Sequence, residues 1–152
     1  MRMLAIASDH GGLHLKQAIC QLLQQRDMEF ADFGVTDDSS VDYPDYALKV
    51  AEAVATGRQA RGILICGTGI GMAIAANKVK GIRAALVHDE FTARMAKEHN
   101  NANVLVLGGR ILDEQTGARL VEIWLDSVYE GGRHQGRLDK IQQIECRPCG
   151  DA

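Results

Sequence analysis

The stretch Gly62–Gly71, Gly-Ile-Leu-Ile-Cys-Gly-Thr-Gly-Ile-Gly, restricts what this chain can fold into more than any other segment. Ile63, Leu64 and Ile65 make a short continuous apolar run, which is how a strand covered on both faces reads. The strand is expected to end near Cys66. Glycines at 67, 69 and 71 then allow a tight turn and close approach of a ligand to the backbone, and Met72-Ala73-Ile74-Ala75-Ala76 favours helix. A strand, a glycine turn and a helix N-terminus in that order aim backbone N–H groups at one spot, which suits an anion. Cys66 and Thr68 add a thiol and a hydroxyl at its lip. The spacing Gly-x-Gly-x-Gly is not the dinucleotide fingerprint, and no Lys-Ser/Thr pair follows as in a phosphate-binding P-loop. The same residues also fit a structural role, with the glycines permitting close packing and Cys66 a small buried hydrophobe. The rest of the chain decides between the two.

At 152 residues the chain fits a single domain, residues 1–152, that buries roughly 70% of the surface its unfolded form exposes. A net charge of −3 gives no general attraction to nucleic acid or to an anionic membrane surface. No apolar run approaches the ~20 residues that span a bilayer. Met1-Arg2-Met3-Leu4 leads directly into a strand-like run without a signal peptide, so a cytoplasmic location is expected, where thiols stay reduced. Cys146 and Cys149 have C-x-x-C spacing but no second ligand pair nearby, so residues 146–152 read as an exposed tail, and neither a zinc site nor a redox centre is expected there.

Strand and helix patterns alternate along the chain. Strands are expected at Arg2–Ser8, Met28–Phe33, Gly62–Cys66, Ile82–Val87 and Asn103–Leu107. Helical periodicity appears at Leu15, Ala18, Ile19 and Leu22, and again at Ala47, Val50, Ala51 and Val54 ending at Gly57. Further helices are expected from the glycine turn to about Val79, at Asp89–His99, through Leu120, Val121, Trp124, Leu125 and Val128, and at Gly136–Cys146. Such alternation implies a parallel sheet covered on both faces. Ligands of open parallel sheets collect at the carboxyl ends of the strands. Those ends carry Asp9 and His10, the loop carrying Asp42-Tyr43-Pro44, Cys66-Gly67-Thr68, His88-Asp89, and Gly108-Gly109-Arg110. His99-Asn100-Asn101 closes a helix, where histidine gains from the dipole and asparagine suits a C-cap. Arg133 and Arg137 are four apart, so on a helix both guanidinium groups share one face and suit a phosphate.

Taken together, several of these motifs resemble a known family. Ser8-Asp9-His10, Asp42-Tyr43-Pro44, Cys66-Gly67-Thr68-Gly69-Ile70-Gly71, Asn77-Lys78, Gly81-Ile82-Arg83-Ala84, His99-Asn100-Asn101-Ala102-Asn103 and Tyr129-Glu130-Gly131-Gly132-Arg133-His134 appear in the order found in ribose-5-phosphate isomerase B. That group belongs with the allose- and galactose-6-phosphate isomerases. The resemblance covers nearly the whole chain and departs from it chiefly in the tail after Glu145.

The resemblance implies a single-domain, Rossmann-like three-layer αβα sandwich with a five-stranded parallel sheet. It also implies an aldose–ketose isomerase of ribose 5-phosphate and ribulose 5-phosphate that needs no metal or organic cofactor. It makes Cys66 the base that takes the proton from carbon 2, with Thr68 relaying protons between oxygens. His99 opens the sugar ring and Asp9 contacts the sugar. The N–H groups of Gly67, Gly69, Ile70 and Gly71 hold the enediolate, where each donor is typically worth ~3 kcal/mol in the transition state. His10, Arg133, Arg137 and Arg110 hold the phosphate, and Tyr43 and Asn100 contact sugar or phosphate. The family forms homodimers or dimers of dimers with shared sites, so His99, Asn100 and the arginines are expected to face Cys66 from a second subunit. A hexose-6-phosphate isomerase, a non-catalytic phosphate- or nucleotide-binding module and a thiol-redox protein using Cys146 and Cys149 are the competing readings.

Overall fold

A computed structural model describes residues 3–147, so Cys149 and the rest of the tail beyond Arg147 lie outside the described residues. Five parallel strands form one sheet: β1 (Leu4–Ser8), β2 (Phe30–Asp32), β3 (Arg61–Cys66), β4 (Ala84–Leu86) and β5 (Val104–Gly108). Their order across the sheet is β2-β1-β3-β5-β4, so β3 is central. The helices are α1 (Leu13–Gln25), α2 (Tyr43–Ala55), α3 (Ile70–Ala76), α4 (Glu90–Glu98), α5 (Glu114–Asp126) and α6 (Arg133–Glu145), with a single 3-10 turn at His10–Gly12. The expected α/β architecture is what the chain adopts.

Side chains alternate across a strand, and each face of the sheet builds its own core. Leu4 and Ile6, Ile63 and Ile65, and Leu105 and Leu107 pack under Leu15, Ile19, Leu120 and Trp124 of α1 and α5. Ala5 and Ala7, Leu64 and Cys66, and Val104 and Val106 meet Val50, Ala51, Met72 and Ala76 of α2 and α3. Three layers result, and Cys66 points toward the α2–α3 side. Trp124 is fully buried, with the Arg61 guanidinium 5.6 Å from its ring centre.

Several boundaries differ from the sequence expectation. α2 begins at Tyr43 with Pro44 in its first turn, a position where a missing N–H is harmless. The helix after the glycine turn ends at Ala76 rather than Val79, and the strand expected at Ile82–Val87 contracts to Ala84–Leu86. Val128 lies beyond the end of α5 and is 76% exposed, so it does not extend the apolar face. α6 starts one turn before Gly136 and buries only His134 and Leu138. At the end of α4 the C-cap is His99 itself, and Asn101 carries the left-handed backbone, φ 43°.

Lys16 is 3% exposed, although its neighbours in α1 give it the look of a solvated position. Its ammonium donates to Asp32 Oδ2 at 2.6 Å and to the Val35 carbonyl at 2.7 Å. That pair fixes the start of the loop between β2 and α2. No helix among the described residues is long and apolar enough to cross a membrane.

Candidate active site

The carboxyl edge of the sheet is assembled by backbone packing. Cys66 is the last residue of β3 and only 4% exposed. The Gly69 N–H donates to its Sγ at 3.2 Å, which fixes the sulfur against the glycine turn. Gly69 has φ +80°, and an added Cβ would run into Leu86 and the Leu107 carbonyl. Only glycine therefore closes this turn without strain. The loop after β5 is tied to it: Gly109 N–H donates to the Cys66 carbonyl at 2.7 Å, and Arg110 N–H to the Gly67 carbonyl at 2.9 Å. A Cβ on Gly109 would sit 2.6 Å from the Gly11 carbonyl oxygen, and one on Gly12 would sit 2.6 Å from that of Ile65. The turns after β1, β3 and β5 thus touch main chain to main chain.

Side chains line this edge. Asp9 is 6% exposed, and its Oδ1 has no hydrogen-bond partner among the described residues. A buried carboxylate oxygen left unpaired is rare in folded proteins and marks a place where a ligand hydroxyl fits. His10 Nδ1 accepts from the Val41 N–H at 3.3 Å, which fixes the ring and leaves Nε2 to carry the proton in the neutral form. The Tyr43 ring lies against Gly71, where a side chain on residue 71 would displace it. The Arg110 side chain packs on Gly67. Thr68 is exposed at the lip and its Oγ1 accepts from the Ile70 N–H at 3.3 Å. Gly71, one residue further into α3, has an N–H with no intrahelical acceptor. The structure therefore brings Asp9, His10, Tyr43, Cys66, Gly67, Thr68, Gly69, Ile70, Gly71 and Arg110 to one edge.

His99, Asn100, Arg133 and Arg137 are elsewhere. In the parallel register Val104 pairs with Gly62 and Gly108 with Cys66, so β5 begins at the amino edge. α4 returns the chain to that edge and ends there: the carbonyls of Asn100 and Asn101 accept from Arg83, just before β4. A five-residue strand spans about 17 Å, and that length separates His99 from Cys66 within one chain. At the amino edge His99 stacks on His134, ring centres 4.1 Å apart and planes 18° apart. Glu130 faces both, with Oε2 3.4 Å from His134 Nε2 and 3.9 Å from His99 Nε2. The Glu130 N–H donates to the Glu98 carbonyl at 3.0 Å and ties this loop to the end of α4. Arg133 and Arg137 lie exposed on α6, which starts directly after it.

Sequence reasoning did not single out Glu130 or His134. The available signal was His134 and Leu138 at i, i+4, which the structure shows to be the two buried positions of α6.

Comparisons with known proteins identify the family and agree with the fold. Residues 4–141 match the model of the Ribose/Galactose Isomerase family. Ribose-5-phosphate isomerase B of Escherichia coli K12 is 44% identical over 147 residues, covering 97% of this chain and 99% of that protein. The solved structure of Clostridium thermocellum ribose-5-phosphate isomerase B superposes with a TM-score of 0.93 at 51% identity, over 94% of this chain and 97% of that one. The Mycoplasma genitalium ribose-5-phosphate isomerase B, solved with bound ribulose-5-phosphate, superposes with a TM-score of 0.91 at 45% identity, over 95% and 97%. With its fold and nearly its full length shared, the chain belongs to the ribose/galactose isomerase family.

Proposed function

We propose that the protein interconverts D-ribose 5-phosphate and D-ribulose 5-phosphate through an enediolate, at a site completed by a second copy of the chain. The observation that carries this reading is a thiol facing an N–H donor at the carboxyl edge of the central strand, with a buried, unpaired carboxylate from the neighbouring strand end. In the aldose-to-ketose direction, Cys66 takes the proton from carbon 2 and later returns one to carbon 1. The N–H groups of Gly67 and Gly71 hold the oxygen that becomes negative, joined by those of Gly69 and Ile70 as they leave Cys66 Sγ and Thr68 Oγ1, and Thr68 moves the hydroxyl proton between oxygens 1 and 2. Asp9 accepts a sugar hydroxyl, and Tyr43 walls the cleft. His10 and Arg110 meet the phosphate from the same chain as Cys66.

Ring opening needs an acid–base group near the anomeric oxygen, and His99 of the second copy supplies it, with Asn100, Arg133 and Arg137 beside it. Support for this pairing comes from surfaces that one chain leaves bare. Ile70 and Ile74 on α3 are 55% and 58% exposed, and Ile141 and Ile144 of α6 line a groove with the edge strand β4, Asn77 and Asn100. Apolar surface of this kind is what association covers. A cytoplasmic setting keeps the Cys66 thiol reduced.

Complementation tests the whole reading. Cys66→Ala and His99→Asn proteins are each expected to lose turnover on ribose 5-phosphate. Unfolded and refolded together in equal amounts, they should recover about a quarter of the wild-type rate, because half of the dimers are mixed and each has one intact site. Recovery absent from the mixture, with both parents inactive and dimeric, removes the shared site. Full activity in Cys66→Ala removes the mechanism. Allose 6-phosphate offered in parallel reads any side activity on a hexose.

A further inference from the structure

We propose that Arg83 positions His99 for ring opening, a role that rests on the function proposed above: its guanidinium holds the turn that presents the imidazole. Arg83 Nε donates to the Asn100 carbonyl at 3.1 Å and Nη2 to the Asn101 carbonyl at 2.9 Å. Those carbonyls belong to the two peptide planes that flank the Asn101 Cα. A rigid fork of donors that grips both planes restricts φ and ψ of the residue between them. Asn101 needs that restraint, because its φ of 43° is a left-handed conformation unfavourable for an L-residue. Lys97 Nζ holds the Asn101 side chain, donating to Oδ1 at 2.7 Å. Freed from the fork, Asn101 can relax toward ordinary φ, and His99, two residues back at the C-cap of α4, moves with it.

The fork is itself tied to the sheet. Asn103 Oδ1 accepts from the Arg83 N–H at 2.8 Å, and Asn103 Nδ2 donates to the Gly81 carbonyl at 2.8 Å. The Arg83 carbonyl accepts from the Val104 N–H, at the start of β5, at 3.3 Å. Asn77, the C-cap of α3, grips the next residue from both sides: its Nδ2 donates to the Ala84 carbonyl at 2.9 Å and its Oδ1 accepts from the Ala84 N–H at 2.8 Å. The turn after His99 is thereby referenced to the same sheet that carries Cys66 at its other edge.

Charge pairing does not account for this guanidinium. Among the described residues no carboxylate forms a salt bridge with Arg83. Its neighbour is another cation: burial, and then Arg61 and Arg83, hold the Lys97 ammonium below the usual lysine range. What residue 83 supplies is a planar pair of donors, which a lysine lacks.

The two halves of the shared site provide a test that a general loss of stability does not mimic. Arg83→Gln should lower kcat on ribose 5-phosphate about 100-fold, the cost of a small misplacement of a catalytic group, with KM little changed because Arg133 and Arg137 stand on α6. Arg83→Lys keeps the charge and should be slowed as well. Unfolded and refolded in equal amounts with Cys66→Ala, Arg83→Gln should recover about a quarter of the wild-type rate, since each mixed dimer joins one intact Cys66 to one His99 with its Arg83. Refolded with His99→Asn it should recover nothing, because both changes fall on the same half of the site. Recovery with His99→Asn, or with neither partner, overturns the proposal, as does wild-type turnover in Arg83→Lys. Should Arg83→Gln fail to fold by circular dichroism, Arg83→Lys takes its place in the mixtures. A mixture of Cys66→Ala and His99→Asn that stays inactive removes the shared site instead, and the histidine ring resonances then decide. His99 signals shifted in the Arg83 variant with those of His10 unmoved keep the positioning role, and unmoved His99 signals remove it.

Discussion

The buried pair of Lys16 and Asp32 allows an asymmetric prediction. The two partners are unequally wet, with Lys16 3% and Asp32 35% exposed. In Lys16→Met the apolar stem is kept and the charge is lost. The Asp32 carboxylate left behind reaches water and keeps the Gly34 N–H on its Oδ1 at 2.8 Å, while the buried Val35 carbonyl loses its donor. The main loss is then one unpaired carbonyl, about 1–3 kcal/mol. In Asp32→Asn the side chain keeps its shape and its acceptor for Gly34, but its NH2 then faces the buried ammonium, which is left with the Val35 carbonyl alone. Breaking a buried pair in this direction costs about 3–5 kcal/mol. The difference of about 2 kcal/mol corresponds to about 4–8 °C in Tm for a chain of this size. Thermal melts at one fixed protein concentration, checked by urea titration, would measure it. A Lys16→Met protein that melts at or below Asp32→Asn refutes the reasoning, because it would mean that the carboxylate and not the ammonium is the group protein alone can satisfy.

Two further expectations concern titrating groups. Burial, with a smaller contribution from the Asp32 carboxylate, pushes the Cys20 thiol up to about 11, whereas Cys146 is exposed. At pH 8 iodoacetamide should modify Cys146 rapidly and Cys20 only in unfolded protein, read by peptide mass spectrometry; rapid native labelling of Cys20 contradicts this. Hydrogen bonds from Thr92 and Thr116 hold the N-cap carboxylates of Asp89 and Asp113 below the ordinary range. The stability they contribute is present above the unfolded carboxylate range near pH 4 and is lost as pH falls through their lowered native values. The melting difference between wild type and Asp89→Asn/Asp113→Asn should therefore be flat above pH 5 and shrink toward pH 2. A difference that stays constant to pH 2 counts against it.

The sheet was legible because each of its central strands is short, continuous and β-branched or aliphatic, and because helices of period 3.6 separate them. The carboxyl-edge rule then placed Asp9, His10, Cys66 and Arg110 together, as the structure does. Lys16 escaped notice because its acceptors, Asp32 and Val35, come from a segment 16–19 residues away, which no local period encodes. α6 was placed a turn late because a helix that buries only His134 and Leu138 has almost no apolar stripe. Tyr43 and Pro44 looked like loop, yet proline in a first turn was itself the available signal for a helix start. The stacking of His99 on His134 depends on α4 and the 129–132 loop meeting in space, and sequence distance hides that.

Because the three turns around Cys66 rest on one another through carbonyls and Cα atoms, the address of this thiol is written in main chain rather than in replaceable side chains. Tyr43, His10 and Arg110 stand outside that frame. On the function proposed above, exchanging them reshapes which sugar fits without shifting the sulfur, so specificity in this scaffold can drift while the thiol stays put.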